Sequence, residues 1–233
     1  MGVSWPRSGH HLLADLLRAY FGDIFRYCSF YDPDEDCCRQ APCVRSEVSF
    51  SKNHDFGLKL PILSGRRYLV QFRQFAPSVI SDYQLFLFVN KYDDSEKNFR
   101  AFAWHKLEEY NKFMEKWGSP RDTDVSILYI SYENLTNDPY RALQRAISFF
   151  TEDAIDGDVM QEIIKNIRKT ELNDGIFKIT ENFGVKETRK VEDFKHYDPI
   201  LFDELVDRSR LNYDLLANGG VTLNHRICSS PPA

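Results

Sequence analysis

The first twenty-one residues constrain this chain more than any other stretch. Gly2-Val3-Ser4-Trp5 is short, apolar and β-prone, Pro6 ends it, and Arg7-Ser8-Gly9 is a tight polar turn that allows close backbone approach. Leu12, Leu13, Leu16, Leu17, Tyr20 and Phe21 then recur at helical spacing, one apolar stripe suited to lie against a sheet. Strand, turn, helix is the reading. A helix that starts directly behind a turn aims unpaired N–H groups and the positive end of its dipole at whatever fills the turn, so an anion is the natural guest. The turn is not a Walker A loop. His10 and His11 stand where the Lys-Ser/Thr pair for a γ-phosphate and Mg²⁺ would follow the glycine, and the one cation, Arg7, precedes it. Taken alone, the stretch is equally compatible with an ordinary buried strand-turn-helix carrying a surface arginine.

The rest of the chain repeats the alternation. Strands are expected at Arg67 to Arg73 and Asp124 to Tyr132, both rich in β-formers. Helices are expected at Ser78 to Val89, Glu96 to Trp117, Tyr140 to Phe150, Val159 to Lys169 and Pro199 to Leu216. Ser51 to Pro61 reads as a loop entering a short strand, Glu133 to Pro139 as turn chemistry, and Thr170 to Tyr197 as irregular and dotted with cations. Strands alternating with helices, with no internal repeat, predict an α/β fold: a mostly parallel central sheet flanked by helices, a P-loop-like three-layer sandwich, in one domain over 1–233. Such sheets bind ligands beyond the carboxyl ends of their strands, where the first turn, Arg73 and Tyr132 all fall.

Composition narrows the guests. With a formal net charge of −5, nothing global recommends nucleic acid or an anionic membrane, so any anion site must be a local gathering of Arg and Lys. No apolar run is long enough to span a bilayer and no secretory pattern opens the chain, which predicts a soluble, cytoplasmic protein. The 18 Phe and 12 Tyr suit either a thick core or an aromatic-lined pocket. Four of the five cysteines, Cys28, Cys37, Cys38 and Cys43, lie close together, with Cys228 apart. Their spacing is not a standard zinc pattern; reduced thiols, a disulfide and zinc are the readings, in that order.

Three of these stretches together resemble the sulfotransferase family, which moves a sulfuryl group from 3′-phosphoadenosine 5′-phosphosulfate (PAPS) to an acceptor. Pro6-Arg7-Ser8-Gly9-His10 is similar to the family's 5′-phosphosulfate loop. Arg73 ending a strand, with Ser81 eight positions on, is similar to its 3′-phosphate signature. Tyr132-Glu133-Asn134-Leu135, followed by Asp138-Pro139, is similar to a third element of the family. Lys52-Asn53-His54 resembles the Lys-x-His that holds the catalytic base in many members. Arg189-Lys190-Val191 resembles a late Arg-Lys-Gly loop over the 3′-phosphate, with Val191 in place of the glycine; Asp193 to Tyr197 resembles the segment after it. Leu12 stands where many members carry an aromatic residue that stacks on adenine.

The resemblance implies PAPS as donor, PAP (3′,5′-ADP) as product, no metal, and a hydroxyl on a carbohydrate or small molecule as acceptor. Arg7 and the backbone N–H groups of Ser8, Gly9, His10 and His11 would take the 5′-phosphate end. Arg73 and Ser81 would take the 3′-phosphate with Arg189 and Lys190, and Tyr132 would meet adenine. His54 would be the general base, with Lys52 beside it helping to hold the phosphosulfate and Asp55 in reserve; a loop histidine satisfied by backbone is the ordinary alternative. Adjacent helical residues point apart, so of His10 and His11 one reaches the phosphosulfate and the other packs. Tyr83, Phe86, Phe102 and Trp104 are candidate acceptor walls, with helix–helix core as their plainer role. The rivals are a P-loop nucleotide kinase-like enzyme and an inactive PAPS/PAP-binding relative.

Overall fold

The computed structural model describes residues 1–31, 38–118, 125–167, 190–210 and 221–222. The sheet is built on β1 (Gly2–Ser4), with β3 (Phe50–Asn53) on one side and β4 (Arg67–Phe72) on the other. β2 (Tyr27–Cys28) extends it beyond β3, β5 (Ser126–Ser131) pairs with β4, and β6 (Val221–Thr222) closes the far edge, giving the order β2-β3-β1-β4-β5-β6. The first five strands are parallel and β6 alone runs antiparallel, as a mostly parallel sheet requires.

Alternation along each strand sends side chains to two cores. Leu69, Leu128 and Ile130 meet Leu13, Leu16 and Leu17 of α1 (His10–Phe21), Leu143 of α5 (Pro139–Phe150) and Met160 of α6 (Gly157–Ile167). On the other face Tyr68, Val70, Phe72, Ile127 and Tyr129 pack against α2 (Phe75–Asn90), α3 (Glu96–Trp117) and α7 (Pro199–Asp207). Two helical layers around one sheet are the expected three-layer sandwich. The chain leaves β1 through α1 on one face and β4 through α2 and α3 on the other, so a crevice opens where β1 and β4 end.

Three expectations need correction. Phe50–Asn53 is the strand and the irregular stretch follows it, the reverse of a loop entering a strand; Phe50, Ser51, Lys52 and Asn53 are all buried, so period-two alternation is hidden. Tyr132–Asn137 is a short helix, α4, because the Ser131 side chain accepts from the Asn134 N–H and starts one. The last helix is capped by Asp198 and its regular turns end at Asp207; residues 211–216 lie outside the described residues.

Candidate active site

The turn after β1 is held from below. The Trp5 N–H donates to the Gln71 carbonyl at 2.9 Å, its indole N–H donates to Ser78 Oγ at 3.2 Å, and its ring meets Tyr110 edge-on at 5.0 Å. From that anchor the backbone passes through two left-handed residues, Arg7 (φ 63) and Gly9 (φ 76). Glycine is required at the second: a Cβ there would sit 2.9 Å from Tyr132 Cδ2 and 3.1 Å from Leu135 Cδ2. Arg7 has no such exemption, and a non-glycine residue held in this region is strain of the kind that clusters at working sites. Among the described residues no side chain caps the start of α1 and no carboxylate lies in its first turn.

Cations from three strand ends meet at this turn. Arg7 Nε donates to Ser81 Oγ at 2.9 Å, and the Arg73 guanidinium reaches the Arg7 carbonyl at 3.4 Å while lying 4.0 Å from the centre of the Tyr132 ring. Tyr110 fixes the corner by donating its hydroxyl to the Arg73 carbonyl at 2.9 Å. Lys52, buried at the end of β3, donates to His11 Nε2 at 3.4 Å. Burial holds the pKa values of Arg7 and Arg73 below the usual guanidinium value, and each is only partly relieved by neighbours, Asp82 and Tyr132 for Arg7, Tyr132 and Glu133 for Arg73. Asp82 is itself engaged by Lys106 at 3.3 Å, and Glu133 Oε1 by the Gln74 N–H at 3.1 Å. Ser8 Oγ and Arg73 Nε are buried with no hydrogen-bond partner among the described residues. The acceptors Gln71 Oε1 and Glu133 Oε2 are also unpartnered among the described residues, and the orphaned Ser8 and Arg73 donors beside Arg7 fit an anionic group such as a phosphate.

The histidines divide as helical geometry requires. His10 turns inward, stacked on Phe50 at 5.6 Å with Nε2 3.0 Å from the Tyr27 hydroxyl; burial, then the field of Lys52, hold its pKa well below the ordinary value. Its backbone N–H is what it offers the turn. His11 stays exposed on the Lys52 side.

His54 has a defined tautomer. Nδ1 lies 2.7 Å from the Ser4 carbonyl, which only accepts, so Nδ1 carries the hydrogen and Nε2 is the bare nitrogen. Burial, followed by the field of Lys52, lowers its pKa to about 3, and the fields of His11 and Arg7 act in the same direction. The imidazole is neutral at neutral pH, the state a proton acceptor needs. Tyr31 lies over it at 5.2 Å and takes the His54 N–H on its hydroxyl at 2.8 Å; Phe56 is 5.1 Å away on another side.

Other candidates fall elsewhere. Asp55 is buried and committed: it accepts from Lys116 Nζ at 2.6 Å, Trp117 Nε1 at 2.9 Å and the Leu60 N–H at 2.8 Å, so it is no reserve base. Tyr83 lies in the core, and Phe86, Phe102 and Trp104 pack against that core. The aromatic rings beside His54 are instead Tyr31 and Phe56, both exposed. Phe56 could have been found from its place two residues after His54; nothing in the sequence singled out Tyr31. Leu12 is buried in the α1 core and is not an adenine platform. Lys190 is exposed, Val191 packs against the α2/α3 core, and Arg189 lies outside the described residues. Phe194 docks on Phe99 at 4.7 Å, while Lys195 and His196 pair with Asp94 at 2.9 and 2.6 Å, tying that late segment to the α2–α3 corner.

No protein-family model and no curated protein sequence matches the chain. Solved structures do. A mouse sulfotransferase, SULT7A1, complexed with PAP superposes with a TM-score of 0.61 over 92% of this chain and 84% of its own, at 18% identity. The chain has the fold of a sulfotransferase. Retinol dehydratase in a complex with retinol and PAP gives 0.61 at 16% identity, over 91% of this chain and 82% of its own. The same enzyme with androsterone and PAP gives 0.61 at 15%, over 91% and 81%. No helix among the described residues is long and apolar enough to cross a membrane.

Proposed function

We propose that the chain is a PAPS-dependent O-sulfotransferase acting on the hydroxyl of a small, flat, largely apolar acceptor. The observation that carries this is the convergence of Arg7, Ser81 and Arg73: one linked cluster, with the Arg73 side chain on the Arg7 carbonyl, so that both expected phosphate grips open to one crevice. Separate clefts would have ruled out a single doubly phosphorylated nucleotide. The fold supports the same reading, since its solved neighbours carry PAP.

When bound, PAPS would supply the transferable sulfuryl group and a phosphate leaving group. The residues' contribution is positional and electrostatic. Arg7 and the N–H groups of Ser8 to His11 hold the 5′-phosphate end and stabilise negative charge as it grows there. Arg73 holds the 3′-phosphate with Ser81, its stacking on Tyr132 keeping the guanidinium plane fixed. His54 takes the acceptor proton on Nε2, and the Ser4 carbonyl on Nδ1 steadies the imidazolium that results. Lys52, one pleat away, lends positive charge to the phosphosulfate. An anion bound among these cations offsets the fields of Lys52, His11 and Arg7, the smaller part of what depresses His54 after burial.

The acceptor class rests on Tyr31 and Phe56, whose exposed rings flank His54 and offer flat apolar walls in place of a polar groove. Two of the solved neighbours' complexes hold retinol and androsterone, apolar alcohols. Calorimetry with 3′,5′-ADP in the absence of Mg²⁺, followed by transfer assays with PAPS against phenols, steroids and sugars, tests both parts. Equal affinity for 5′-AMP and 3′,5′-ADP would defeat the nucleotide assignment. Magnesium-dependent ATP turnover would favour the kinase-like rival, and tight PAP binding without transfer to any acceptor would favour an inactive relative.

A further inference from the structure

Cys28, Cys38 and Cys43 take no part in the crevice, yet they converge. None of the three is in a disulfide, and their sulfurs lie within 4.8 Å of one another. They come from two separate pieces of chain. Cys28 is the fully buried last residue of β2, whereas Cys38 and Cys43 bracket a half-exposed loop that reverses through left-handed Arg39 (φ 53) and brings their Sγ atoms to 3.0 Å. A latent disulfide would engage Cys38 and Cys43 and leave the buried Cys28 sulfur within reach of both.

A cation accounts for all three. Zn²⁺ bound at about 2.3 Å from each thiolate in tetrahedral geometry sets the sulfurs about 3.8 Å apart, above the 3.0 Å of the Cys38–Cys43 pair and inside the 4.8 Å within which all three lie. Sulfur ligands select Zn²⁺ over Mg²⁺ or Ca²⁺. We propose that Cys28, Cys38 and Cys43 form a zinc site, separate from the transfer site, that pins the 38–43 loop to β2. Each thiol gives its proton to solvent as it coordinates, and water takes the fourth position through the half-exposed Cys38 and Cys43.

The site has a structural consequence. β2 pairs with β3 in the register Tyr27↔Phe50 and Cys28↔Ser51, and β3 delivers Lys52. Tyr31, three residues after Cys28, receives the His54 N–H. The metal therefore braces the strand pair and the ring that border His54, and leaves the Arg7–Arg73 corner alone.

The test is elemental analysis of the full chain, purified without chelator and exchanged into zinc-buffered solution, together with non-reducing peptide mass spectrometry on the same sample. About one zinc per chain is expected, falling roughly tenfold or more in Cys38→Ser and in Cys43→Ser, and unchanged in Cys228→Ser. Circular dichroism melts check that the variants fold. Replacement by Co²⁺ should give a thiolate-to-metal charge-transfer band that Cys38→Ser removes. Sub-stoichiometric zinc after exchange, equal zinc in the variants, or a Cys38–Cys43 disulfide in place of metal would each overturn the proposal.

Discussion

Lys116 and Arg73 are both cations withdrawn from water, and their surroundings differ in kind. Lys116 meets a carboxylate and two carbonyls, Asp55 Oδ2 at 2.6 Å, Leu60 O at 2.7 Å and Leu58 O at 3.0 Å, while the rest of Asp55 is taken up by Trp117 and the Leu60 N–H. Every partner there is protein. Arg73 has one carbonyl at 3.4 Å, an aromatic face and a buried Nε with no partner among the described residues; Arg7 beside it has a serine hydroxyl. The first arrangement is complete as folded, whereas the second is short of negative charge. A buried charge that is fully matched serves the fold, and one left partly matched stores a demand that a ligand can meet.

The sharpest way to break this contrast is Asp55→Ala. It strands Lys116 and frees Trp117 Nε1, and losing one partner of a buried pair costs about 3–5 kcal/mol of stability. Urea unfolding should show that loss, while 3′,5′-ADP affinity measured on the folded fraction stays within about twofold of the parent. A larger fall in affinity would mean that the two groups are not independent.

Arg73→Ala and Arg7→Ala should do the opposite. Each removes charge-assisted hydrogen bonds to the ligand worth about 1.5–3 kcal/mol, roughly 10- to 150-fold in 3′,5′-ADP affinity. Neither should lower the unfolding midpoint, because each also removes a desolvated cation. Calorimetry paired with urea melts separates the two effects; a destabilised Arg73→Ala would put Arg73 in the same class as Lys116.

The two regions also differ in how well the sequence announced them. Strong short-range patterns carried the turn and its strands: the apolar run at Arg67–Phe72 stops at a cation, and Leu12, Leu13, Leu16 and Leu17 repeat at helical spacing, so the sandwich and the Arg7/Arg73 meeting point were legible. Lys52 and His54 were legible only as a motif, because β3 is buried on both faces. Asp55 was misread as a reserve base because its partners, Lys116 and Trp117, lie about sixty residues away, and local pattern carries no trace of such pairing. A separation of 23 residues likewise hid Tyr31, whose role beside His54 follows from β2 and β3 running in parallel.

A smaller effect separates the regions by pH. His54 is held neutral at a pKa of about 3 and His10 well below its ordinary value, chiefly by burial. As pH falls through the unfolded histidine value of about 6.5, the unfolded chain takes up protons that the native state refuses, so stability drops on the acid side by up to about 1.4 kcal/mol per pH unit for each histidine. His54→Gln should make the stability profile shallower between pH 6.5 and 4.5, read from urea midpoints. Saturating 3′,5′-ADP should also make it shallower, because the bound anion raises the His54 pKa. Identical slopes in parent and variant would mean that the folded protein does not hold His54 neutral.

The finest test concerns Ser81, whose hydroxyl was expected beside Arg73 and which instead accepts from Arg7 Nε at 2.9 Å. If Ser81 grips the 3′-phosphate directly, Ser81→Ala removes one hydrogen bond of about 1 kcal/mol, roughly fivefold in affinity for 3′,5′-ADP, and leaves 5′-AMP untouched. If its work is to aim the Arg7 guanidinium at the 5′-phosphate, both nucleotides weaken alike. The first result would join the two arginines through a hydroxyl that changes partner when the ligand arrives. The second would make Ser81 a fixed strut of the opening turn, with Arg73 as the 3′-phosphate contact supplied by β4 and α2. The two nucleotides differ only at the 3′ position, so their ratio decides between these arrangements even where both affinities shift for unrelated reasons.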